Sequence, residues 1–359
     1  MHILFLGNGG SPNTINWVRY YAGALGHQIT LLSFDPVHRP IPAVEILDRS
    51  SASKTKYLSK IPFLRGLLRE LRPDLLLAYR LTSYGFTAAC SGFHPFAVAA
   101  MGRDLLFSPG AVVQYMAASY SVRRADLIHS WGENMTQRLI QLGADPGRIM
   151  TLPRGVDTSL FYPEGVRPKG PVRVVTTRSL DPYYRMDVII RAIAALPSGL
   201  QPFEHRIIGD GPDRPNLDRL VRDLGLGKAV TFLGAIDTVD LAREVRAADI
   251  YVSAVPTDGT SSSLLEAIAC GVFPIVVDNE ANRIWVRHGE NGYLFPAGDV
   301  ESLGRWLAAG ISDPDLRARA AARNVEDIRK RGSWTTNMKI MAERQIDLCR
   351  GVKYSLGGR

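Results

Sequence analysis

The chain begins Met1-His2-Ile3-Leu4-Phe5-Leu6-Gly7-Asn8-Gly9-Gly10-Ser11-Pro12. It continues Asn13-Thr14-Ile15-Asn16-Trp17-Val18-Arg19-Tyr20-Tyr21-Ala22-Gly23-Ala24-Leu25-Gly26-His27-Gln28-Ile29-Thr30-Leu31-Leu32-Ser33. Residues 3–6 are a continuous apolar run, the pattern of a strand buried on both faces. Residues 7–11 form a turn rich in residues that tolerate positive φ. A helical pattern runs from 14 to 25 and stops at Gly26, and 29–33 reads as the next strand. Pro12 is expected to keep the helix from starting at the turn itself. Strand, glycine turn, helix, glycine stop, strand is a βαβ unit, so its strands are parallel. The turn lacks the third glycine of a dinucleotide-binding fingerprint.

The same rhythm extends outward. Residues 74–78, 96–100, 127–130 and 149–152 read as short strands between helical stretches. The segment 161–171, Phe-Tyr-Pro-Glu-Gly-Val-Arg-Pro-Lys-Gly-Pro, carries three prolines and two glycines and marks a linker. A second series comes after it, with strands at 172–176, 205–208, 230–233, 250–253 and 274–277. Between them lie helices at 187–195, 216–224, 240–247 and 263–269. Strict alternation argues for two doubly wound parallel α/β sheets, two Rossmann-like domains facing a cleft. The expected division is 1–165, 166–334, and a C-terminal helix and tail, 335–359, packing back on the body through Met338, Ile340, Met341, Ile346 and Leu348.

Composition narrows the class. With 46% hydrophobic and 22% charged residues among 359, the chain is neither disordered nor collagen-like. Its net charge of +8 favours anionic partners such as nucleotides or phospholipid surfaces, and is too mild to argue for nucleic acid. Cys90, Cys270 and Cys349 form no C-x-x-C pair, so neither a disulfide framework nor a structural zinc site is expected. The first apolar run is too short for a signal peptide. The stretch 81–102 lacks Asp, Glu, Lys and Arg, but His94-Pro95 interrupts it, so it reads as a buried strand-loop-strand region rather than a membrane span. The expected location is cytoplasmic, or peripheral on the inner face of a membrane.

The segment richest in chemistry is Pro256-Thr257-Asp258-Gly259-Thr260-Ser261-Ser262-Ser263-Leu264-Leu265-Glu266-Ala267-Ile268-Ala269-Cys270-Gly271. Gly259 permits an unusual turn, and the Thr/Ser run opens a helix. Free N–H groups at a helix start, with small hydroxyls around them, suit an anion. Glu266 lies inside an otherwise apolar helix, which is costly without a partner. A sugar or ribose hydroxyl supplies one. The plainer alternative is an N-cap serine and a structural acid.

This segment resembles the signature of family 4 glycosyltransferases, which are retaining, nucleotide-sugar-dependent and of GT-B fold. The shared elements are two acids eight positions apart, here Asp258 and Glu266, and the tail Glu266-Ala267-Ile268-Ala269-Cys270-Gly271-Val272-Phe273-Pro274. Asp258 stands where the family usually has Glu. The resemblance continues through Leu152-Pro153-Arg154-Gly155-Val156-Asp157, where Arg154 replaces the common Asn. It also takes in Gly209-Asp210-Gly211-Pro212, Phe232-Leu233-Gly234 and Asn291-Gly292-Tyr293-Leu294.

The resemblance implies roles. Asp258, Glu266 and Arg178 would be catalytic. Arg178 and the nearest further cation, Arg185, would neutralise the donor diphosphate, because the family's usual Lys is missing. Gly9, Gly10, Gly209, Gly211, Gly259, Thr260, Ser261 and Ser262 would complete donor binding. Ser11, Asp104 and His129 would face the acceptor, although His129 at a strand end equally suits a satisfied core histidine. Met101 stands where many members have a His, while Gly102 and Asp104 match the surrounding motif. His94 reads as structural.

The implied reaction moves a sugar from a nucleotide-diphosphate sugar to a hydroxyl on a glycan, lipid-linked or small-molecule acceptor, with no metal or other cofactor. The alternatives are a sugar-nucleotide 2-epimerase of the same fold and a non-catalytic glycan- or membrane-binding relic. Residues 49–80 hold eight cations and two acids around an apolar stripe of Ile61, Phe63, Leu64, Leu67, Leu68 and Leu71. That is the pattern of an interfacial anchor for an anionic membrane, or of a helix with its stripe in the core.

Overall fold

The computed structural model describes residues 1–53, 56–102, 105, 111–165, 170–257 and 261–351. The chain forms two compact units, one of Met1–Pro153 with the chain from Met338 onward, the other Arg154–Asn337. The boundary thus falls at 153/154 rather than 165/166. The physical reason is that Phe161, inside the expected linker, is buried in the second unit's core, so this part of the loop folds with the second sheet.

In the first unit β1 (His2–Leu6), β2 (Gln28–Ser33), β3 (Val44–Asp48), β4 (Leu75–Tyr79), β5 (Phe96–Ala99), β6 (Leu127–Ser130) and β7 (Ile149–Thr151) form one sheet. Its order is β3-β2-β1-β4-β5-β6-β7, and every pairing is parallel. Leu75, Leu76, Leu77 and Ala78 are buried on both faces, as a central parallel strand requires. Trp17 packs edge-on to Phe5 and Tyr79, with centroids 6.2 and 5.3 Å away. Tyr21 stacks on Trp17 and donates its hydroxyl to Gln345 Oε1 at 2.6 Å, which ties the C-terminal helix Trp334–Cys349 to the first helix of the chain.

Two expectations for this unit change, and one open alternative is decided. The first helix begins at Pro12, with Ser11 as its N-cap residue, because proline at the first helical position gives up a donor that has no helical partner anyway. After Arg19 it widens into a π turn, Tyr20–Ala24. The stretch 81–102 is not strand-loop-strand: Leu81–Gly85 is a π turn, Phe86–Ser91 a helix, and only then comes β5. The stripe on helix Ile61–Leu71 is core, with Leu64, Leu67 and Leu68 buried, while Phe63 stays exposed beneath the Arg49 guanidinium.

The second unit holds β8 (Val172–Thr177), β9 (Phe203–Ile208), β10 (Val230–Gly234), β11 (Ile250–Ser253), β12 (Phe273–Val277) and β13 (Tyr293–Phe295). The order is β10-β9-β8-β11-β12-β13, again wholly parallel. Each sheet therefore reverses its winding once, beside β1 and β4 in the first and beside β8 and β11 in the second. Among the described residues, no helix is long and apolar enough to cross a membrane.

Each unit buries a neutral histidine. His129, at the end of β6, donates from Nε2 to the Leu152 carbonyl at 2.8 Å and lies against Trp17 and Trp131. His205 on β9 is fully buried; its Nε2 is 2.9 Å from Thr176 Oγ1, which donates on to the Val252 carbonyl. Burial lowers both rings from the usual value of 6.5, to about 4 for His129 and about 3 for His205. Below pH 6.5 the unfolded chain takes up protons that the folded chain refuses, so stability falls as pH drops, by about 1.4 kcal/mol per pH unit for each ring. We expect urea midpoints to decline below pH 6.5, and the slope between pH 6 and 4 to flatten by about one proton in H205Q. An unchanged slope in that variant would show that His205 titrates normally in the folded state.

Candidate functional site

Parallel pairing of β8 with β11 sets Val174 beside Ile250 and Val175 beside Tyr251, so the chain leaves both strands at the same edge. Arg178 comes directly after β8. Beyond β11 the chain runs through buried Ala254 and Val255 to Thr257, and the described residues resume at Ser261. Tyr183 joins the two exits, its hydroxyl 2.6 Å from the Thr257 carbonyl and 2.8 Å from Thr257 Oγ1.

Ser261 caps helix Ser262–Ala269, accepting from the Leu264 amide. The helix buries Leu264, Leu265, Ala267, Ile268 and Ala269. Ser262, Ser263 and Glu266 lie three and four positions apart and share the remaining, partly open face. All three serine hydroxyls are engaged within the protein. Arg178 Nη2 donates to Ser261 Oγ, Arg154 Nη1 donates to Ser262 Oγ at 3.3 Å, and Ser263 Oγ donates to the Thr177 carbonyl at 2.9 Å. Burial pushes the Glu266 carboxyl above its usual range, against the pull of the Arg154 and Arg178 charges. The site is thus one carboxylate facing two guanidinium groups.

The glycines after β9 serve this arrangement. Gly209 has φ +135°, and a Cβ there would lie 2.0 Å from the Arg178 carbonyl oxygen; at Gly211 it would lie 2.5 Å from the Leu180 carbonyl oxygen. Their amides are committed, Gly209 to the Gly234 carbonyl and Gly211 to Asp210 Oδ1. Both glycines position the Arg178 loop by close backbone approach. Arg185 adopts a left-handed backbone and pairs with Asp187 at 3.1 Å, so its charge is already partnered. Asp258, Gly259 and Thr260 lie outside the described residues.

In the first unit the Gly9 amide donates to Ser33 Oγ at 3.0 Å and the Gly10 amide to Asn8 Oδ1 at 2.8 Å. A Cβ at Gly9 would reach to 2.5 Å from Val37 Cγ2, so this turn too is held by close packing. Ser11 sits at the start of the first helix. His129 is the core histidine described above rather than a site residue, because the Leu152 carbonyl and two indole rings enclose it. His94 pairs with Asp126 at 2.6 Å, in keeping with a structural role. Asp104 lies outside the described residues. Among the described residues, no three His, Cys, Asp or Glu side chains converge as metal ligands.

Sequence reasoning noted Arg154 as a departure from the family pattern and gave it no part in the site. The available signal was a cation one residue before Gly155, a position whose geometry only the fold reveals.

Two family models match the chain: Glycosyl transferase 4-like over residues 2–131 and Glycosyl transferases group 1 over residues 161–326. A D-inositol 3-phosphate glycosyltransferase of Catenulispora acidiphila is 28% identical over 72% of this chain and 64% of its own length. The lipopolysaccharide core biosynthesis glycosyltransferase LpsE of Rhizobium meliloti is 32% identical over 39% of each chain. The chain therefore spans less than two thirds of the length of these curated relatives. Among solved structures, HepE of Anabaena in complex with UDP is similar at TM-score 0.81 and 19% identity, covering 97% of this chain and 100% of that one. Sucrose-phosphate synthase of Thermosynechococcus elongatus is similar at TM-score 0.81 and 18% identity, covering 98% and 100%. These likenesses establish the GT-B fold.

A raised carboxyl has a measurable signature. Glu266 gives up its proton less readily in the folded chain than in the unfolded one, so its ionisation subtracts from stability above the ordinary carboxylate range and not below it. We expect E266Q to melt higher than wild type at pH 7–8, with the gain vanishing below about pH 4.5. A variant that melts lower at neutral pH would show that the carboxylate stabilises the unliganded fold.

Proposed function

Because the chain belongs, through both of its halves, to the group 1 and 4-like glycosyltransferases, we propose that it transfers a sugar from a nucleotide-diphosphate sugar to a hydroxyl acceptor, with retention at the anomeric carbon and without a metal. The observation that carries this reading is the grouping of Arg178, Ser261 and Glu266 where β8 and β11 end. Arg178 offers a planar, permanently charged fork to the leaving diphosphate. Glu266 accepts from ribose hydroxyls, which reward a carboxylate that burial otherwise penalises. Asp258, eight residues earlier, is assigned to the donor sugar on sequence alone. In the reaction the bond from C1 to the phosphate oxygen breaks as the acceptor oxygen bonds to C1 on the same face. The acceptor proton passes to the departing diphosphate, whose charge the guanidinium stabilises, the service a metal gives elsewhere.

HepE, one of the structural neighbours, has been solved with UDP and with UDP-glucose, so uridine diphosphate sugars are the first donors to try. Curated relatives include a phosphatidyl-myo-inositol mannosyltransferase of Mycolicibacterium smegmatis and the core glycosyltransferase above, so a glycan, lipid-linked or small-molecule hydroxyl is the acceptor class. A peripheral contact with an anionic membrane belongs to the same proposal. Since Leu64, Leu67 and Leu68 are core, the contact from residues 49–80 is made by exposed Arg65, Arg69, Arg72 and Phe63.

Incubation with labelled UDP-, GDP-, ADP- and TDP-sugars should release nucleoside diphosphate and yield a product with the donor's anomeric configuration. Epimerised donor without diphosphate release would support a 2-epimerase, and no turnover of any donor would support a binding relic. We expect R178A to lower kcat/KM by about 10²–10³-fold, R185A by far less, and EDTA to change nothing. Strict dependence on magnesium or manganese would refute metal independence.

For the membrane contact, flotation should carry wild type with anionic liposomes at low salt, and R65E/R69E should release it. Equal flotation of both proteins would remove these cations from the interface.

A further inference from the structure

Gly155 has φ +80°, and a Cβ there would lie 2.6 Å from the Trp334 amide nitrogen and 2.8 Å from the Gly332 carbonyl oxygen. The segment it touches is bonded twice to the next residue, Val156. The Val156 amide donates to the Gly332 carbonyl at 2.7 Å, and the Trp334 amide to the Val156 carbonyl at 2.9 Å. This clamp lays the Trp334 ring against Arg154, with the guanidinium carbon 5.4 Å from the ring centroid. A cation held on an aromatic face is fixed in direction without being neutralised.

The direction is towards the helix that carries Glu266. Arg154 Nη1 reaches Ser262 Oγ, next in sequence to the Ser261 hydroxyl that Arg178 reaches. The Arg154 Nε is buried and has no hydrogen-bond partner, an arrangement that is costly while no acceptor arrives. Arg185, the other cation near this loop, is spent on Asp187.

We infer that Arg154 is the second cation of the diphosphate site. With Arg178 it grips the phosphates of the donor, filling the place of the Lys that the resemblance led one to expect and this chain lacks. The assignment rests on the transfer reading above. Tyr184 lies against Arg178, with the guanidinium carbon 5.5 Å from its ring centroid. Each phosphate-binding arginine is therefore backed by an aromatic ring, Tyr184 for one and Trp334 for the other.

The test is calorimetric titration of wild type, R154Q, R154K and the exposed-surface control R243Q with UDP, UMP and inorganic pyrophosphate. We expect R154Q to weaken UDP and pyrophosphate at least tenfold while UMP changes much less, so the preference for the diphosphate collapses. R154K keeps a charge without the fork and should fall between R154Q and wild type; R243Q should match wild type. A merely structural role would weaken all three ligands alike and lower the melting temperature of R154Q. If R154Q folds poorly, the UDP-to-UMP ratio in R154K decides. Wild-type binding of UDP with an unchanged ratio in both Arg154 variants overturns this assignment alone. Wild type that binds neither a nucleoside diphosphate nor pyrophosphate overturns the transfer reading and the assignment with it.

Discussion

The parallel pairing of β8 with β11 is the contact on which the second unit's site depends. Ile250 lies beside Val174 although 76 residues separate them, and the two strands point the same way. Only a parallel neighbour delivers two loops to one edge, and only the reversal of winding between them leaves that edge uncovered by a crossover helix. Most of the site's polar groups hang from these exits, Arg178 one residue past β8 and the serine run and Glu266 beyond β11, while Arg154 comes from the turn at Gly155. The neighbouring strand contributes by restraint. Gly209 and Gly211 let the loop after β9 press so closely on the Arg178 loop that a single methyl group would displace its backbone.

On this frame the electrostatics are deliberately unbalanced. A carboxylate on an apolar helix is expensive, and two arginines relieve it only in part. The arginines are in turn held by hydroxyls and aromatic faces, which orient each guanidinium. Such a site is less stable empty than an apolar substitute would be. That is the common cost of keeping a preorganised polar group for a ligand.

Much of this is legible in the sequence, and the exceptions have physical causes. Residues 250–253 and 127–130 read as strands to the residue, because a short apolar run between turn residues has one interpretation in an alternating α/β chain. The family motifs locate Arg178 and Glu266. The start of the first helix escapes the sequence because proline is a breaker inside a helix and a favoured residue at its first position, and periodicity alone does not tell which applies. Strand β3 gives no clear signal: it is an edge strand, mixes Glu45 and Asp48 with its apolar residues, and is buried on neither face throughout. The Leu stripe of 61–71 fits a membrane or a core equally, since both are apolar, and only packing against the helix Phe86–Ser91 separates them. His129 has the right residue type at the right end of a strand, but its enclosure comes from Trp17, far off in sequence. Arg154 owes its place to the turn at Gly155 and to Trp334, a partner from another part of the chain.

The bond from Tyr21 to Gln345 joins residues 324 positions apart. A ribosome making about 5–20 residues per second needs roughly 16–65 s to travel between them. Once Thr151 has been made, the emerging chain holds every strand-forming residue of its first sheet but still lacks the helix that completes the unit. Its second unit, a continuous stretch of chain, has all its parts before the first has its last one. The half that starts first therefore finishes last, and in the meantime a tyrosine hydroxyl and the apolar surface around it wait for the helix that will cover them.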